Sequence, residues 1–225
     1  MLEEVDCVRY YLTPKQEGKQ AFFVVYKDEN VLIVDKESGV NSEAVFAQLK
    51  REEGEKCAFI HRLDRNTRGL MVFALTELAE KELLCAFKEK RVIKKYHALC
   101  FGTFKKEHEI LTAYLKKEEE KSFVKIFDAP IKGAEKILTE YRILQIDGKK
   151  TIAEITLHTG KTHQIRAHLA HIGCPIVGDM KYGDTAKNKA ENIARQCLVA
   201  KELSFELNGT LAYLNSRKFV SSFNV

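Results

Sequence analysis

Short runs of apolar residues, many of them β-branched or aromatic, recur along the chain and predict β-strands. The runs cover residues 21–26, 31–35, 70–75, 96–101, 123–127, 137–146 and 151–158. Polar residues 27–30 separate the first two runs and Asp147-Gly148 lies between the last two, which is typical of hairpin turns. Both pairs of strands are therefore predicted to be antiparallel.

Apolar residues at helical spacing mark three further segments, 43–53, 77–90 and 163–172. Asn41 or Ser42 can cap the first helix, and Thr76 can cap the second. Gly54 and Gly173 follow the first and third helices, where glycine commonly ends a helix. Many strands and few helices, without strict alternation, predict an α+β fold.

Nothing in the sequence marks a boundary between separately folding parts. Only three prolines are present, no Gly/Ser-rich linker interrupts the chain, and no segment repeats at a fixed spacing. We therefore expect one domain over residues 21–225, preceded by a short extension over residues 1–20. The charged stretch from Lys116 to Lys121 is predicted to be a loop or a hairpin tip.

Composition argues against several classes of protein. The chain is 45% hydrophobic and 31% charged, as globular proteins are. Its six cysteines form no C-x-x-C pair, so neither disulfides nor a zinc ribbon is expected. No apolar run reaches the roughly 18 residues of a membrane span, and the first residues lack the pattern of a signal peptide. A cytoplasmic location is expected.

The balance of charge is compatible with a polyanionic partner. The net charge is +5, a value that is also common in proteins without such a partner. Five basic residues fall close together: Lys88, Lys90, Arg91, Lys94 and Lys95. This cluster fits either a nucleic-acid contact or the solvated end of a helix.

The segment HRLDRNTRGLMVFAL at residues 61–75 places one carboxylate among cations, just before an apolar strand. Arg62, Arg65 and Arg68 surround Asp64 and favour its ionised form. An ionised, positioned carboxylate can act as a nucleophile or a base. The alternative is a loop aspartate that caps a turn and pairs with surface arginines.

A second polar segment, LHTGKTHQIRAHLAHIGCPIVGDMKYG, covers residues 157–183. Residues 159–162 lead directly into the third helix, where backbone N–H groups and Lys161 could receive a phosphate. Arg166 lies beside the apolar Ile165, so its guanidinium can emerge at the margin of a packed face. Arg166 is thus a candidate partner for Asp64.

Three histidines in the same segment raise the question of a metal site. His163, His168 and His171 lack the H-x-x-x-H spacing, and only the last two share a helical face. They are better interpreted as hydrogen-bonding packing residues, and no metal is expected.

Tyr96 shares one side of its predicted strand with Ala98 and Cys100. These small neighbours leave room over the phenol ring, where a nucleic-acid base could stack. The alternative is a tyrosine that fills the core with its hydroxyl at the edge.

Taken together, these segments resemble the RluA family of pseudouridine synthases from about Phe22 to Phe205. HRLDRNTRGL is similar to the family's HRLDxxTSGL segment, and KKYHALCFG is similar to its K-x-Y-x-A strand. The segment at 157–183 resembles the long signature TGRxHQIRxHLxxxGxPIxGDxxYG. The resemblance implies a mixed, mostly antiparallel sheet with flanking helices and a central basic cleft.

The resemblance also implies roles for single residues. Asp64 would be the catalytic aspartate, Tyr96 the residue that stacks on the target base, and Arg166 the arginine paired with Asp64. Arg62 matches an arginine that helps to fill the gap left by the flipped nucleotide. We expect the remaining contacts to RNA from Arg65, Arg68, Lys161, Thr162, His163, Gln164 and Ile165.

The implied reaction breaks the glycosidic bond at N1 of a uridine and joins C5 of the uracil to C1′. It involves no net redox change or hydrolysis, so no cofactor or metal is required. Asp64 could attack C1′, add to C6, or remove a proton from C2′, and the sequence leaves all three routes open. The implied partner is ribosomal RNA or, as a second choice, transfer RNA, and a monomer is the default expectation.

The sequence departs from the family pattern at three places. Arg68 replaces a small serine, Lys161 replaces a common arginine, and Lys36-Glu37-Ser38-Gly39 lacks the proline often found after the lysine. Arg68 could add a phosphate contact or alter the loop that carries Asp64. No full S4 RNA-binding domain fits in residues 1–20, so RNA is expected to be recruited by the catalytic domain.

Two other functions stay open at this point. One is a non-catalytic RNA-binding or RNA-folding module, suggested by the altered loop at Arg68. The other is a metal-dependent hydrolase that uses His163, His168 and Asp179.

Overall fold

The computed structural model describes residues 20–118 and 123–225. Within these ranges eleven strands form a single sheet whose main path runs β1-β2-β4-β10-β5-β9-β8-β6-β7. The strands are β1 Phe22–Lys27, β2 Val31–Lys36, β3 Ala58–Phe59, β4 Arg68–Ala74, β5 Val92–Phe101, β6 His108–Glu118, β7 Phe123–Phe127, β8 Glu135–Asp147, β9 Lys150–Leu157, β10 Leu198–Phe205 and β11 Lys218–Val220. Strands β3 and β11 lie off the main path, against β4 and β10.

The pairing is antiparallel throughout the described strands, except that β10 runs parallel to β4. The predicted hairpins β1-β2 and β8-β9 are both present. The α+β fold with a mixed, mostly antiparallel sheet is therefore confirmed.

Four α-helices and one 3₁₀ turn flank the sheet in the described ranges. They are α1 Ser42–Glu53, α2 Glu77–Lys88, α3 Gln164–His171 and α4 Thr185–Ala190, with the 3₁₀ turn at Ala212–Leu214. The Thr76 hydroxyl accepts a hydrogen bond from the N–H of Ala79, as expected of a cap. Asn41 occupies the cap position of α1, but its side chain makes no capping hydrogen bond.

The two largest apolar cores among the described residues lie on opposite faces of the sheet. Helices α1 and α3 contribute Val45, Leu49 and Leu169 to one core, which also contains Tyr96. Helix α2 contributes Ala79 and Leu83 to the other core, against β2 and β4. The cleft that contains the candidate site opens beside the first core.

The β4–β10 pairing depends on Gly69. Its φ is +113°, and a Cβ at this position would lie 2.3 Å from the backbone oxygen of Ala200. Only a residue without a side chain lets the two strands approach this closely. Gly69 thus allows β4, the strand that follows Asp64, to pair with β10.

Each of the seven predicted runs overlaps a strand, and the three predicted helices are all present. The sequence missed β6, β10, the short strands β3 and β11, and helix α4. Of the charged stretch expected to be a loop or a hairpin tip, Lys116 to Glu118 belong to β6, and residues 119–121 lie outside the described residues. The expected extension over residues 1–20 also lies outside them, apart from Gln20.

Among the residues described, no helix combines the length and the apolar character needed to cross a membrane. The cysteines at positions 57, 85, 100, 174 and 197 are free thiols. Cys7 lies outside the described residues.

Candidate active site

The loop at residues 61–67, here called the Asp64 loop, is held against α1. Ser42 is buried, and its hydroxyl donates to the carbonyl of Leu63 at 2.8 Å and accepts from the N–H of Leu63 at 3.0 Å. Ser42 had been considered only as a helix cap, yet its side chain binds the loop instead. Backbone groups bonded in this way cannot rearrange without losing buried hydrogen bonds.

A buried lysine holds the other side of the Asp64 loop. The Lys36 ammonium donates to the carbonyls of Glu37, Val40 and Arg65, at 2.9, 2.9 and 3.1 Å. Burial lowers the pKa of Lys36 to about 8, although the nearby Asp64 carboxylate opposes this shift. Lys36 therefore places positive charge behind Asp64 and ties two loops together.

Asp64 lies against Arg166 at the start of α3. The Nη1 of Arg166 donates to Oδ2 of Asp64 at 2.8 Å, which is the contact expected from the sequence. The same guanidinium binds Asp179 bidentately, through Nε at 2.7 Å and Nη2 at 3.0 Å. Arg166 is thus fixed between two carboxylates, and only Asp64 of the two reaches the cleft.

The second carboxylate is itself firmly held. Oδ1 of Asp179 accepts the backbone N–H groups of Lys181 and Tyr182, at 2.8 and 3.0 Å. Burial raises the pKa of Asp179, but the bonds from Arg166 and from these N–H groups outweigh it and leave that pKa below its ordinary value. Burial likewise acts to lower the pKa of Arg166, and its bonds to Asp179 raise it overall. The Asp179–Arg166 pair is therefore charged.

His163 approaches Asp64 from the same side as Arg166. Its backbone is left-handed, with φ of 55°, and its Nε2 lies 3.9 Å from Oδ2 of Asp64. The Tyr182 hydroxyl accepts from the N–H of Val124 and lies 2.9 Å from Nδ1 of His163, so Tyr182 holds the imidazole ring in place. The Nε2 of His163 faces Asp64. Burial lowers the pKa of His163, although Asp64 opposes this shift.

These contacts distinguish the two oxygens of Asp64. Oδ2 accepts a hydrogen bond from Arg166 and faces His163, whereas no described residue makes a hydrogen bond to Oδ1. The side chain is 22% exposed, so the carboxylate is accessible from the cleft. Oδ1 is the oxygen available to a substrate.

Tyr96 lines the same cavity from β5. It is 8% exposed, and its neighbours on this face, Ala98 and Cys100, are fully buried. Burial raises the pKa of Tyr96 well above its ordinary value, and the Asp64 carboxylate adds to the effect. Tyr96 is therefore a neutral phenol whose ring can support a stacked base.

The cavity around these residues, here called the Asp64 cavity, has a volume of about 300 Å³. Its lining combines charged and apolar side chains: His61, Arg62, Leu63, Asp64, Thr67, Phe87, Lys94, Tyr96, Leu157, Gly160, Lys161, Thr162, His163, Gln164, Ile165, Arg166 and Leu198. The His61 ring stacks on Phe87 with centroids 4.7 Å apart, and burial lowers the pKa of His61 to about 3. A site of this size and mixed polarity suits one nucleoside.

Six of the eight residues expected to contact RNA line this cavity. Arg62 is at its rim, with a side chain that is 67% exposed and 2.9 Å from Glu43. Lys161 pairs with Glu135, and Thr162 is exposed. His163, Gln164 and Ile165 complete the set.

Gln164 is engaged within the protein. Its Nε2 donates to the carbonyl of Leu138 and to the Thr139 hydroxyl, and its Oε1 accepts from Thr159 and from the N–H of Lys161. The residue is buried. Its amide therefore fixes the turn before α3 to β8.

The structure does not bring Arg65 and Arg68 into the cavity. Arg65 Nε donates to the carbonyl of Gly39 at 2.9 Å. Arg68 Nη2 lies 2.9 Å from Glu37, and its guanidinium carbon lies 3.7 Å from the ring centroid of Phe223. The side chain that departs from the family pattern thus binds the C-terminal segment, behind the Asp64 loop.

The residues of the metal hypothesis point to separate partners. His168 Nδ1 bonds to Thr139, His171 bonds to Asp128, and Asp179 is occupied by Arg166. Across residues 20–118 and 123–225, no cluster of three or more potential ligands could hold a metal ion.

Four residues at or next to the site were not assigned their observed contacts from the sequence, although Asp179 was considered as a metal ligand and Lys94 as part of a basic cluster. Asp179 and Tyr182 lie within the quoted signature, where the motif GDMKYG could have indicated them. Lys94 opens the K-x-Y motif and faces the cavity. Lys36 was noted only for the missing proline beside it, and an isolated lysine at the end of an apolar strand is a weak signal.

Comparison with known proteins agrees with these motifs. The sequence profile of the RNA pseudouridylate synthase family matches residues 21–171. Ribosomal large subunit pseudouridine synthase C of Rickettsia felis is 33% identical over 172 residues, which cover 72% of this chain and 56% of that protein. The corresponding protein of Vibrio cholerae is 34% identical over 170 residues, covering 72% and 53%. This chain therefore spans a little over half the length of these curated relatives.

A solved structure extends the likeness to three dimensions. Human RNA pseudouridylate synthase domain containing 1 superimposes with a TM-score of 0.74 and 26% identity, covering 86% of this chain and 82% of that chain. The sequence profile spans the Asp64 loop, Tyr96 and Arg166. The resemblance stated from the motifs is confirmed, and this chain belongs to the RNA pseudouridylate synthase family.

Proposed function

We propose that this protein is an RNA pseudouridine synthase that isomerises specific uridines in structured RNA. Family membership supports the reaction. Ribosomal RNA is the proposed substrate and transfer RNA the second choice, because two relatives are named for the ribosomal large subunit. We further propose that the chain acts in the cytoplasm, as a monomer and without a cofactor.

The observation that carries this proposal is the Asp64–Arg166 pair, which lines the same cavity of nucleoside size as Tyr96. The reaction moves C1′ of the ribose from N1 to C5 of the uracil, while C5 loses a proton and N1 gains one. Arg166 orients Asp64 through Oδ2 and leaves Oδ1 for the substrate. Attack at C1′, addition to C6 and proton removal from C2′ all start from this oxygen.

The uridine must leave its helix before Asp64 can reach it, because its reacting atoms are inaccessible in stacked RNA. Stacking on Tyr96 would return about 1–3 kcal/mol of that cost. Arg62, at the rim of the cavity, is the residue proposed to occupy the gap left in the RNA. Lys161, Thr162 and His163 would contact the nucleotide from the turn before α3.

Pseudouridine mapping of total RNA from cells with and without the gene tests the proposal and identifies the uridine. Loss of one or a few sites is expected. The purified protein should then restore these sites on unmodified transcripts. Asp64→Asn should reduce the rate by about 10³-fold or more and leave RNA affinity nearly unchanged, since it removes the reactive carboxylate but keeps its shape.

Asp147→Asn is the matched control, because Asp147 is an exposed carboxylate in the β8-β9 hairpin, outside the cavity. It should retain full activity. Pseudouridine formation by Asp64→Asn at the wild-type rate would contradict the catalytic assignment. Binding of RNA without product by the wild-type protein would instead indicate a non-catalytic RNA-binding module.

A further inference from the structure

Lys94 lines the Asp64 cavity on the same strand as Tyr96. It precedes Tyr96 by two positions on β5, so both side chains project from one face of the sheet. A Cβ built at Gly160 would lie 3.8 Å from the Lys94 ammonium, which thus faces the turn before α3. The ammonium also lies 5.2 Å from the ring centroid of Phe87.

Lys94 differs from the other permanent cations around the cavity. Arg62 pairs with Glu43, Lys161 with Glu135, and Arg166 with Asp64 and Asp179. Within the two described ranges, the Lys94 ammonium makes neither a hydrogen bond nor an ion pair.

The surroundings of Lys94 make this lack of a partner costly. Burial lowers its pKa, and no neighbouring carboxylate offsets the effect. A desolvated cation without a counter-ion is unfavourable, so the site gains free energy when an anion enters. The aromatic ring of Phe87 compensates only partly for the missing anion, because a cation–π contact is weaker than an ion pair in a desolvated site.

The position of Lys94 relative to Tyr96 suggests which anion enters. Two residues along a strand are about 7 Å apart, which is the scale on which a nucleotide separates its base from its own phosphate. With uracil stacked on Tyr96, the phosphate can reach Lys94. Uracil carbonyls are neutral and would leave the charge uncompensated.

We propose that Lys94 is a phosphate subsite that binds a phosphate attached to the extruded uridine. This inference rests on the proposed function, since the uridine is placed on Tyr96. Lys94 would then select a nucleotide within RNA over free uridine and hold the ribose against Asp64.

Nuclear magnetic resonance titrations with uridine, uridine 5′-monophosphate and uridine 3′-monophosphate test the subsite without requiring turnover. The wild-type protein should bind one of the two monophosphates about tenfold more tightly than uridine, as expected for one charge-assisted hydrogen bond. Lys94→Met should abolish this preference, and Lys94→Arg should retain part of it. The monophosphate that is preferred identifies which phosphate is bound.

Lys95→Met is the matched control, because Lys95 lies on the opposite face of β5 and pairs with Glu154 at 3.2 Å. It removes the same charge one residue away and should keep the preference. Thermal unfolding should show that Lys94→Met is at least as stable as the wild type, since a desolvated charge is removed.

Equal binding of the three ligands, no binding at millimolar concentrations, or a preference that persists in Lys94→Met would overturn the subsite. Pseudouridine formation is measured separately on RNA. A protein that makes pseudouridine but shows no dependence on Lys94 refutes only the subsite. A protein that selects monophosphates through Lys94 but makes no pseudouridine refutes only the proposed function.

Discussion

Arg166 binds two carboxylates that lie in different surroundings. Asp64 faces the cavity, whereas Asp179 is 1% exposed and uses both of its oxygens to grip the guanidinium. A guanidinium held in this bidentate way cannot rotate about its side-chain bonds. The direction in which Arg166 presents its third nitrogen to Asp64 is therefore set by Asp179.

Replacing Asp179 by asparagine tests this arrangement. Asp179→Asn keeps the shape but leaves a buried cation with one carboxylate, so the free energy of unfolding should fall by about 3–5 kcal/mol. The rate constant of RNA modification should also fall, because Arg166 no longer holds Asp64 in place. Urea unfolding and single-turnover kinetics measure the two effects.

Asp128→Asn serves as the control, because Asp128 is 89% exposed and bonds only to His171 among the described residues. It should change stability by less than about 1 kcal/mol. Wild-type stability in Asp179→Asn would show that the ion pair contributes little to the fold.

Single site residues could be predicted where several charged side chains occur within one short segment. Three arginines around one carboxylate indicated Asp64, and an arginine beside an apolar face indicated Arg166. Asp179 was considered only as a metal ligand, because its pairing with Arg166 depends on a contact made across a turn. Lys94 was noted only within a basic cluster, since a sequence does not show which cation lacks an anionic partner.

Among the elements, the contact between β4 and β10 should be sensitive to substitution at Gly69. Gly69→Ala would place a methyl group against the backbone of Ala200 and force a side chain into a left-handed conformation. The free energy of unfolding should fall by about 2–4 kcal/mol, and modification activity should fall with it because the Asp64 loop precedes Gly69. Urea unfolding and RNA assays measure both.

Gly148→Ala provides the comparison. Its φ is +57°, but a Cβ there meets nothing within 4 Å. Only the conformational cost remains, about 1 kcal/mol. Equal effects of the two substitutions would show that the close approach to Ala200 is unimportant.

Strands and helices whose apolar residues recur at a regular spacing were predicted. Strands β10 and β6 lack such a regular spacing, which explains why they were missed. Strand β10 contains a bulge between Ala200 and Glu202, which shifts its side chains from one core to the other. This shift breaks the alternation on which strand prediction depends. Strand β6 has partly exposed residues on both faces, so its period is weak.

For the whole molecule, buried neutral histidines predict a dependence of stability on pH. Burial lowers the pKa of His168 from 6.5 to about 4, with a smaller contribution from His171. Below pH 6.5 the unfolded chain binds a proton that the folded protein excludes, so stability falls as the pH decreases. His168 should contribute a loss of up to about 1.4 kcal/mol per pH unit between pH 6.5 and 4.

His168→Gln isolates this effect, because glutamine can still bond to Thr139 but does not titrate. The stability advantage of the wild type over His168→Gln should shrink as the pH falls from 7 to 4, as measured by urea unfolding at each pH. A constant difference between wild type and His168→Gln would show that folding does not shift the pKa of His168.

The order of the strands could not be predicted from the sequence. Hairpins follow from turns that are local in the chain, and β1-β2 and β8-β9 were found in this way. The contacts of β10 with β4 and β5 join residues that are distant in sequence, and no local pattern encodes such a choice.

The place of β10 also has a consequence for when the protein becomes active. Asp64, Tyr96 and Arg166 are all synthesised before β10, yet β10 lies between the strand that follows Asp64 and the strand that carries Tyr96. A nascent chain on the ribosome therefore has its reactive groups long before it can align them. A chain that ends before β10 is therefore expected not to bring Asp64 and Tyr96 into one cavity.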